Sequence, residues 1–297
     1  MQKRDHYMRA ERFERWKKIG ESLSQSIAKD NLSLVSAGMA YYLLLGLFPA
    51  LIAFVLVFSL LTDSAQIQQQ IQEFGRIVPP AVKSTIISQV ETISQKSGQA
   101  GFGAVISILI AIWSGSKAAK ALVKGLNIAY NEEESRGFVG VILIGLGLTV
   151  LGVMTGIIAI VLLVVIPIVM SFLTLGGLTA VVIEILRWLL MVFLFMTILA
   201  LLYRFAPDRK PPEWKWVTPG AVMATLLWII ASATFSWYLA NFGNFDEVYG
   251  SFGAPIVFLL WLFLSSFLIL FGAEFNQEIE RQNVFKEKTV DGSGDFT

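Results

Sequence analysis

The chain has no cysteine and a single histidine, His6, among its 297 residues. Without thiolates there is no zinc-thiolate or iron-sulfur site, and one imidazole cannot build a histidine-rich metal centre. A nucleophile activated by histidine would need His6, which lies in a densely charged N-terminal stretch with nothing to place it in a pocket. Charge is scarce as well: Asp, Glu, Lys and Arg make up 15% of residues, against about 25% in a soluble domain. No glycine-rich phosphate loop is present, since Gly145, Gly147 and Gly152 fall inside an apolar run, where glycine marks close helix contact. The acidic residues are scattered among loops, so neither a metal nor a cofactor is predicted. Lys+Arg 23 against Asp+Glu 22 gives a net charge of +1, too little to attract nucleic acid.

Apolar residues, by contrast, reach 55%, and the mean hydropathy is +0.67. A membrane helix needs about 20 apolar residues, because no backbone group can stay unpaired in lipid. Ala37 to Leu61 is 25 residues without a charge and Gly98 to Ser116 is 19. Gly137 to Ile183 is 47, too long for one span, and divides near Gly176-Gly177, so that a fourth helix runs to about Tyr203. Val217 to Ala240 and Ser251 to Ala273 complete the set. The predicted fold is therefore an all-α integral membrane protein of six transmembrane helices.

Its orientation follows from basic residues. Segments 1–36, 117–136, 204–216 and 274–297 hold 19 of the 23, which puts both termini in the cytoplasm. Residues 1–36 form a cytoplasmic N-terminal region, 37–273 the transmembrane domain, and 274–297 a cytoplasmic tail. Those first 36 residues show no cleavable signal, and the first span acts as its own insertion signal. Within the N-terminal region Phe13, Trp16, Ile19, Leu23 and Ile27 recur at helical spacing among basic residues. That pattern fits either a helix in the membrane interface or one packed under the bundle. Two further helical repeats, Ile67 to Val78 and Val82 to Ile93, are interrupted by Pro79-Pro80 and predict an extracytoplasmic helical hairpin over 62–97.

Ionisable groups at membrane depth are the candidates for function. Glu184 and Arg187, three apart, read either as an outer-interface ion pair or as a gate or substrate contact at the outer mouth. Glu274 and Asn276 close the last span, either reaching the cytoplasmic interface or projecting into an inner vestibule. Lys117, Lys120 and Lys124 form a basic stripe, and Arg204, Arg209 and Lys210 a basic cluster. These express positive-inside topology or offer a site for anionic headgroups. Pro49, Pro167 and Pro255 are predicted helix kinks. Trp228 and Trp261 fall mid-span, as bundle core or cavity lining.

The runs Ala40 to Pro49, Gly125 to Tyr130, Tyr249 to Pro255 and Gly272 to Asn276 together resemble the YihY/BrkB family of bacterial inner-membrane proteins. The resemblance covers about residues 30 to 285 and implies a six-helix, multi-pass protein of the plasma membrane. It adds Asn127, Tyr249, Gly250 and Gly253 to the candidate positions. Some members carry a ribonuclease label, others a virulence or serum-resistance label, and members have been suspected of moving lipids. The metal-dependent ribonuclease of that name uses a His-x-His-x-Asp-His motif, which one histidine cannot supply. The leading expectation is a transporter or lipid-translocating protein that meets membrane lipids, with a second copy of the chain as a candidate partner. The alternative is a non-transporting scaffold or assembly factor of the cell envelope.

Overall fold

The computed structural model describes residues 2–61, 100–166, 177–209, 218–242 and 249–290, in which every regular element is a helix and no strand occurs. We number the helices α1 (Gln2–Lys29), α2 (Leu32–Leu61), α3 (Ala100–Ala129), α4 (Phe138–Ile160), α5 (Gly177–Phe205), α6 (Pro219–Phe242) and α7 (Gly253–Val290). Four of them contain stretches long and apolar enough to cross a membrane: Val139–Gly156, Gly177–Phe205, Pro219–Asn241 and Pro255–Gln282. Leu32–Gly46 is a shorter apolar segment. The expected first and second spans fall on α2 and α3. The predicted hairpin and the expected turn near Gly176 lie outside the described residues.

The surface of these helices explains their composition. On α4, Val139, Leu143, Leu146, Val150, Met154 and Ile158 are all exposed at spacings of three or four. On α5, Leu178, Val181, Val182, Ile185, Leu186 and Leu189 are exposed too. Apolar faces of that extent would aggregate in water and are at rest in hydrocarbon. After α4 the backbone widens into a π-helix, Val161–Val165. Residue 167 is a proline, which has no N–H to continue the helical ladder.

The chain divides into two units. The first comprises Met1–Ser36, Leu122–Ser232 and Ser265–Thr297; the second comprises Ala37–Ala121 and Ala233–Leu264. In the first, α1 lies against α7. Ile19 and Leu23 form a buried cluster with Phe275, and Trp16 stacks on the Phe275 ring at 6.3 Å. Of the apolar face read from the sequence, Ile19, Leu23 and Ile27 thus pack against protein, while Trp16 remains half exposed. Trp228 donates to Ser265 Oγ at 3.0 Å, with its ring 4.8 Å from Phe195.

Two corners of the first unit are turned by asparagine. Asn31 (φ 49°) follows α1, and Asn131 (φ 51°) follows α3. At the second, Glu132 N–H donates to Asn127 O and Asn131 N–H to Ile128 O, which satisfies carbonyls that the ending helix leaves open. In the second unit, Met39 and Ala40 are buried, Phe258 and Trp261 stack at 6.1 Å, and Tyr249 is exposed beside the short 3-10 turn Gly250–Phe252.

Candidate functional site

In the first unit a set of buried polar groups lies where the ends of α3 and α5 and the start of α6 meet the middle of α7. Asn276 is the hub. Its Oδ1 accepts from Gly220 N–H at 2.6 Å, and its Nδ2 donates to the Tyr130 hydroxyl at 3.2 Å and to Thr218 Oγ1 at 3.1 Å. Gly220 is the second residue of α6, so Asn276 supplies an acceptor to one of the N–H groups that a helix start leaves unpaired. Tyr203 donates to Ile269 O at 2.8 Å. The Arg209 guanidinium lies 3.8 Å over the Tyr130 ring and pairs with Glu280 at 2.6 Å. Burial pushes the Tyr130 hydroxyl well above its ordinary range, so it stays a neutral donor and acceptor at every physiological pH.

Beside the hub, a clamp of charged groups joins the 130–137 connection to residues 206–209. Arg136 makes two bonds to Glu134, at 2.6 and 2.8 Å, and donates to Ala206 O at 2.9 Å. Asp208 accepts from Ser135 N–H and Oγ at 2.7 and 2.6 Å. Asn127 bridges the two segments, donating to Glu134 at 2.9 Å and accepting from Asp208 N–H at 2.8 Å. The Arg136 bonds hold the Glu134 carboxyl below the usual carboxylate range, and the Ser135 bonds do the same for Asp208. Both carboxyls therefore stabilise the fold fully above that range, and the contribution is lost as pH falls beneath it. In a thermal-melt series against pH, Ser135→Ala is expected to lower the Tm near neutrality and to make its fall on the acid side shallower. Arg136→Met should cost about 1.5–3 kcal/mol near neutrality, as for hydrogen bonds to charged groups.

Glu274 differs from all of these. It is fully buried, and neither carboxylate oxygen has a hydrogen-bond partner among the described residues. The helix does not end at Ala273, where the apolar run stops, but continues as α7 to Val290. Glu274 therefore sits inside the helix rather than at its mouth. The charged groups facing it are Asp30 and Lys29 at the α1–α2 corner and Glu278 one turn along α7.

Of the residues singled out in the sequence, Asn127, Arg209, Glu274 and Asn276 belong to this region. Glu184 and Arg187 pair with each other, with Trp188 Nε1 donating to Glu184 at 2.9 Å. They stand 16 residues or more before Tyr203, hence about 24 Å away along α5. Lys117 lies 5.6 Å from the Trp113 ring, Lys124 is exposed, and Arg204 lies 5.6 Å from the Phe205 ring. Pro255 stands in the first turn of α7, where a missing N–H withdraws no bond of that helix. α2 runs on through Pro49. Lys210 and Pro167 lie outside the described residues. Sequence reasoning missed Asp30, Glu134, Arg136 and Asp208, since polar residues in short connections read as ordinary solvated loop. No group of three or more His, Cys, Asp or Glu among the described residues is arranged to hold a metal ion.

Residues 23–293 match the family model described as Virulence factor BrkB. A ribonuclease-like protein of Bacillus subtilis (strain 168), YfkH, is 33% identical over 253 residues, which cover 83% of this chain and 90% of that protein. A UPF0761 membrane protein of Alkalilimnicola ehrlichii is 33% identical over 93 residues, 31% of this chain and 20% of its own length. One from Neisseria meningitidis serogroup B is 41% identical over 80 residues, 27% of this chain and 20% of its own length. No solved structure matches.

Proposed function

The chain belongs to the Virulence factor BrkB family of membrane proteins, and from that premise we propose that it is a transporter or a translocator of lipids and other amphiphiles. One observation carries the reading: Glu274, an ionisable side chain fully buried and without a hydrogen-bond partner among the described residues, in a helix apolar enough to span a membrane. Such a group costs several kcal/mol at membrane depth and persists where it serves a solute or ion path. Six spans, cytoplasmic termini, the outer hairpin over 62–97 and a place in the bacterial plasma membrane complete the proposal, supported by the lopsided distribution of Lys and Arg. Lys117 and Lys124, both exposed, would meet anionic headgroups on the inner face.

The test uses proteoliposomes of phosphatidylglycerol and phosphatidylethanolamine carrying a headgroup-labelled phospholipid. Wild-type protein is expected to speed movement of the label between leaflets, and Glu274→Gln, at equal reconstitution, to slow it about tenfold, the factor that 1.4 kcal/mol commands. Equal rates for the two would remove Glu274 from the path.

A non-transporting scaffold is the second reading. It is favoured by the hydrogen bonding of Asn276, Asn127 and Arg136, which engages these groups with protein rather than leaving them for a solute. Acceleration by neither protein would support it. Ribonuclease chemistry has no support in a chain whose one histidine is His6.

A further inference from the structure

Glu274 meets Asp30 across the corner between α1 and α2. Both oxygens of Glu274 and Oδ2 of Asp30 are shut off from solvent, and none of the three receives a hydrogen bond from the described residues. Two ionised carboxylates in that position would repel each other with no donor between them, which a buried site does not tolerate. The neighbouring charges do not relieve the conflict. Lys29 is exposed and its ammonium is engaged by Asn131 Oδ1 at 3.4 Å. Glu278, the third carboxylate, is also buried, and it accepts from Ser26 Oγ at 3.5 Å and pairs with Arg281 at 3.7 Å. Tyr130 also feels the Glu274 carboxyl, and its neutral hydroxyl adds no positive charge. A metal ion would need a set of donors, and no such set is assembled among the described residues.

We infer that Glu274 and Asp30 form a proton-binding site, in which one carboxyl is protonated and donates its O–H to the other. A single proton supplies the missing donor, removes one of the two charges and satisfies an oxygen on each side. The inference goes beyond the transport reading, because the proton is held whether or not a solute moves. In a transporter it would make the proton the natural coupling ion.

Purified full-length protein in detergent gives the test, by infrared spectroscopy and by melting temperature. At neutral pH wild-type protein is expected to show a protonated-carboxyl carbonyl band that Glu274→Gln lacks. Asp30→Asn, which changes the proton's neighbour, should shift that band in frequency. Raising the pH strips the shared proton and leaves two facing anions, so the wild-type Tm should fall by about 2–4 °C per pH unit across the titration while Glu274→Gln stays flat. If Glu274→Gln does not fold, Asp30→Asn and the wild-type pH profile decide alone. Identical carbonyl bands in wild type and both variants would overturn the inference. So would a wild-type Tm that holds steady or rises on the alkaline side. A third overturning result is a sodium-specific rise in wild-type Tm at fixed ionic strength, which would assign the site to a metal cation. A failed lipid-movement assay leaves the infrared result untouched, so the two readings fail separately.

Discussion

Gly220→Ala is expected to cost about 3 kcal/mol or more, the upper range for overpacking, and to leave little folded protein in the membrane fraction. At this position α6 crosses α7 with backbone against backbone. A Cβ on Gly220 would drive into the Gly272 carbonyl oxygen and come within 2.6 Å of Asn276 Cγ. On the other side, a Cβ on Gly272 would meet the Tyr203 hydroxyl, Gly220 O at 2.7 Å and Ala224 Cβ at 2.8 Å. Main-chain atoms cannot swing aside as the end of a flexible side chain can, so the two helices would have to separate and the Asn276 bonds would go with them. Small residues at such crossings are how membrane helices come close enough to gain packing energy. Gly152→Ala on α4 is the control, since a Cβ there meets nothing within 4 Å. It should be neutral or stabilise by up to about 1 kcal/mol through helix propensity. Fluorescence-detected gel filtration after a heating series measures all three proteins side by side.

Asn276→Ala is the second substitution with a large expected effect, a loss of about 2–4 kcal/mol. It removes the acceptor of Gly220 N–H and a partner of Tyr130, both buried, and alanine offers nothing in return. Asn276→Asp keeps the acceptor for Gly220 but replaces the amide donor. It should therefore recover part of the loss at acid pH, where the new carboxyl is protonated, and less at neutral pH. Because Gly220 and Asn276 share one contact, the double variant should lose less than the two single losses combined. Additive losses in the same melts would show that the hydrogen bond and the helix crossing act independently.

Much of this protein could be read before its fold was known, though unevenly. The face of α1 was visible in the spacing of Ile19, Leu23 and Ile27, because helical periodicity is local. Its partner Phe275 was not visible, because pairing across most of the chain leaves no local trace. Glu274 stands out as a charge at the edge of an apolar run, but its complete burial is not legible there. Hydropathy falls after Ala273, whereas hydrogen bonding along α7 does not, so the helix carries a polar continuation to Val290. Asp30 was unreadable for a different reason: between one helix end and the next start, a short acidic side chain looks like an ordinary turn residue. The Glu134–Arg136–Asp208 clamp hid likewise in loops, where charged residues are expected to face water. Asn127, in contrast, was reached through the resemblance of its run to a known family, and the role found for it is to hold two connections together.

The packing of α1 against α7 also sets an order of events in time. Ser26 bonds to Glu278 across 252 positions of sequence. The residues of α1 leave the ribosome before those of α7, with α2 to α6 made in between. Until α7 follows, Ile19 and Leu23 lack Phe275 and the carboxyl of Asp30 lacks Glu274. Closing so distant a contact is entropically costly. The corner between α1 and α7 therefore stands or falls with both helices: without α7, Ile19 and Leu23 lose the Phe275 side of their buried cluster.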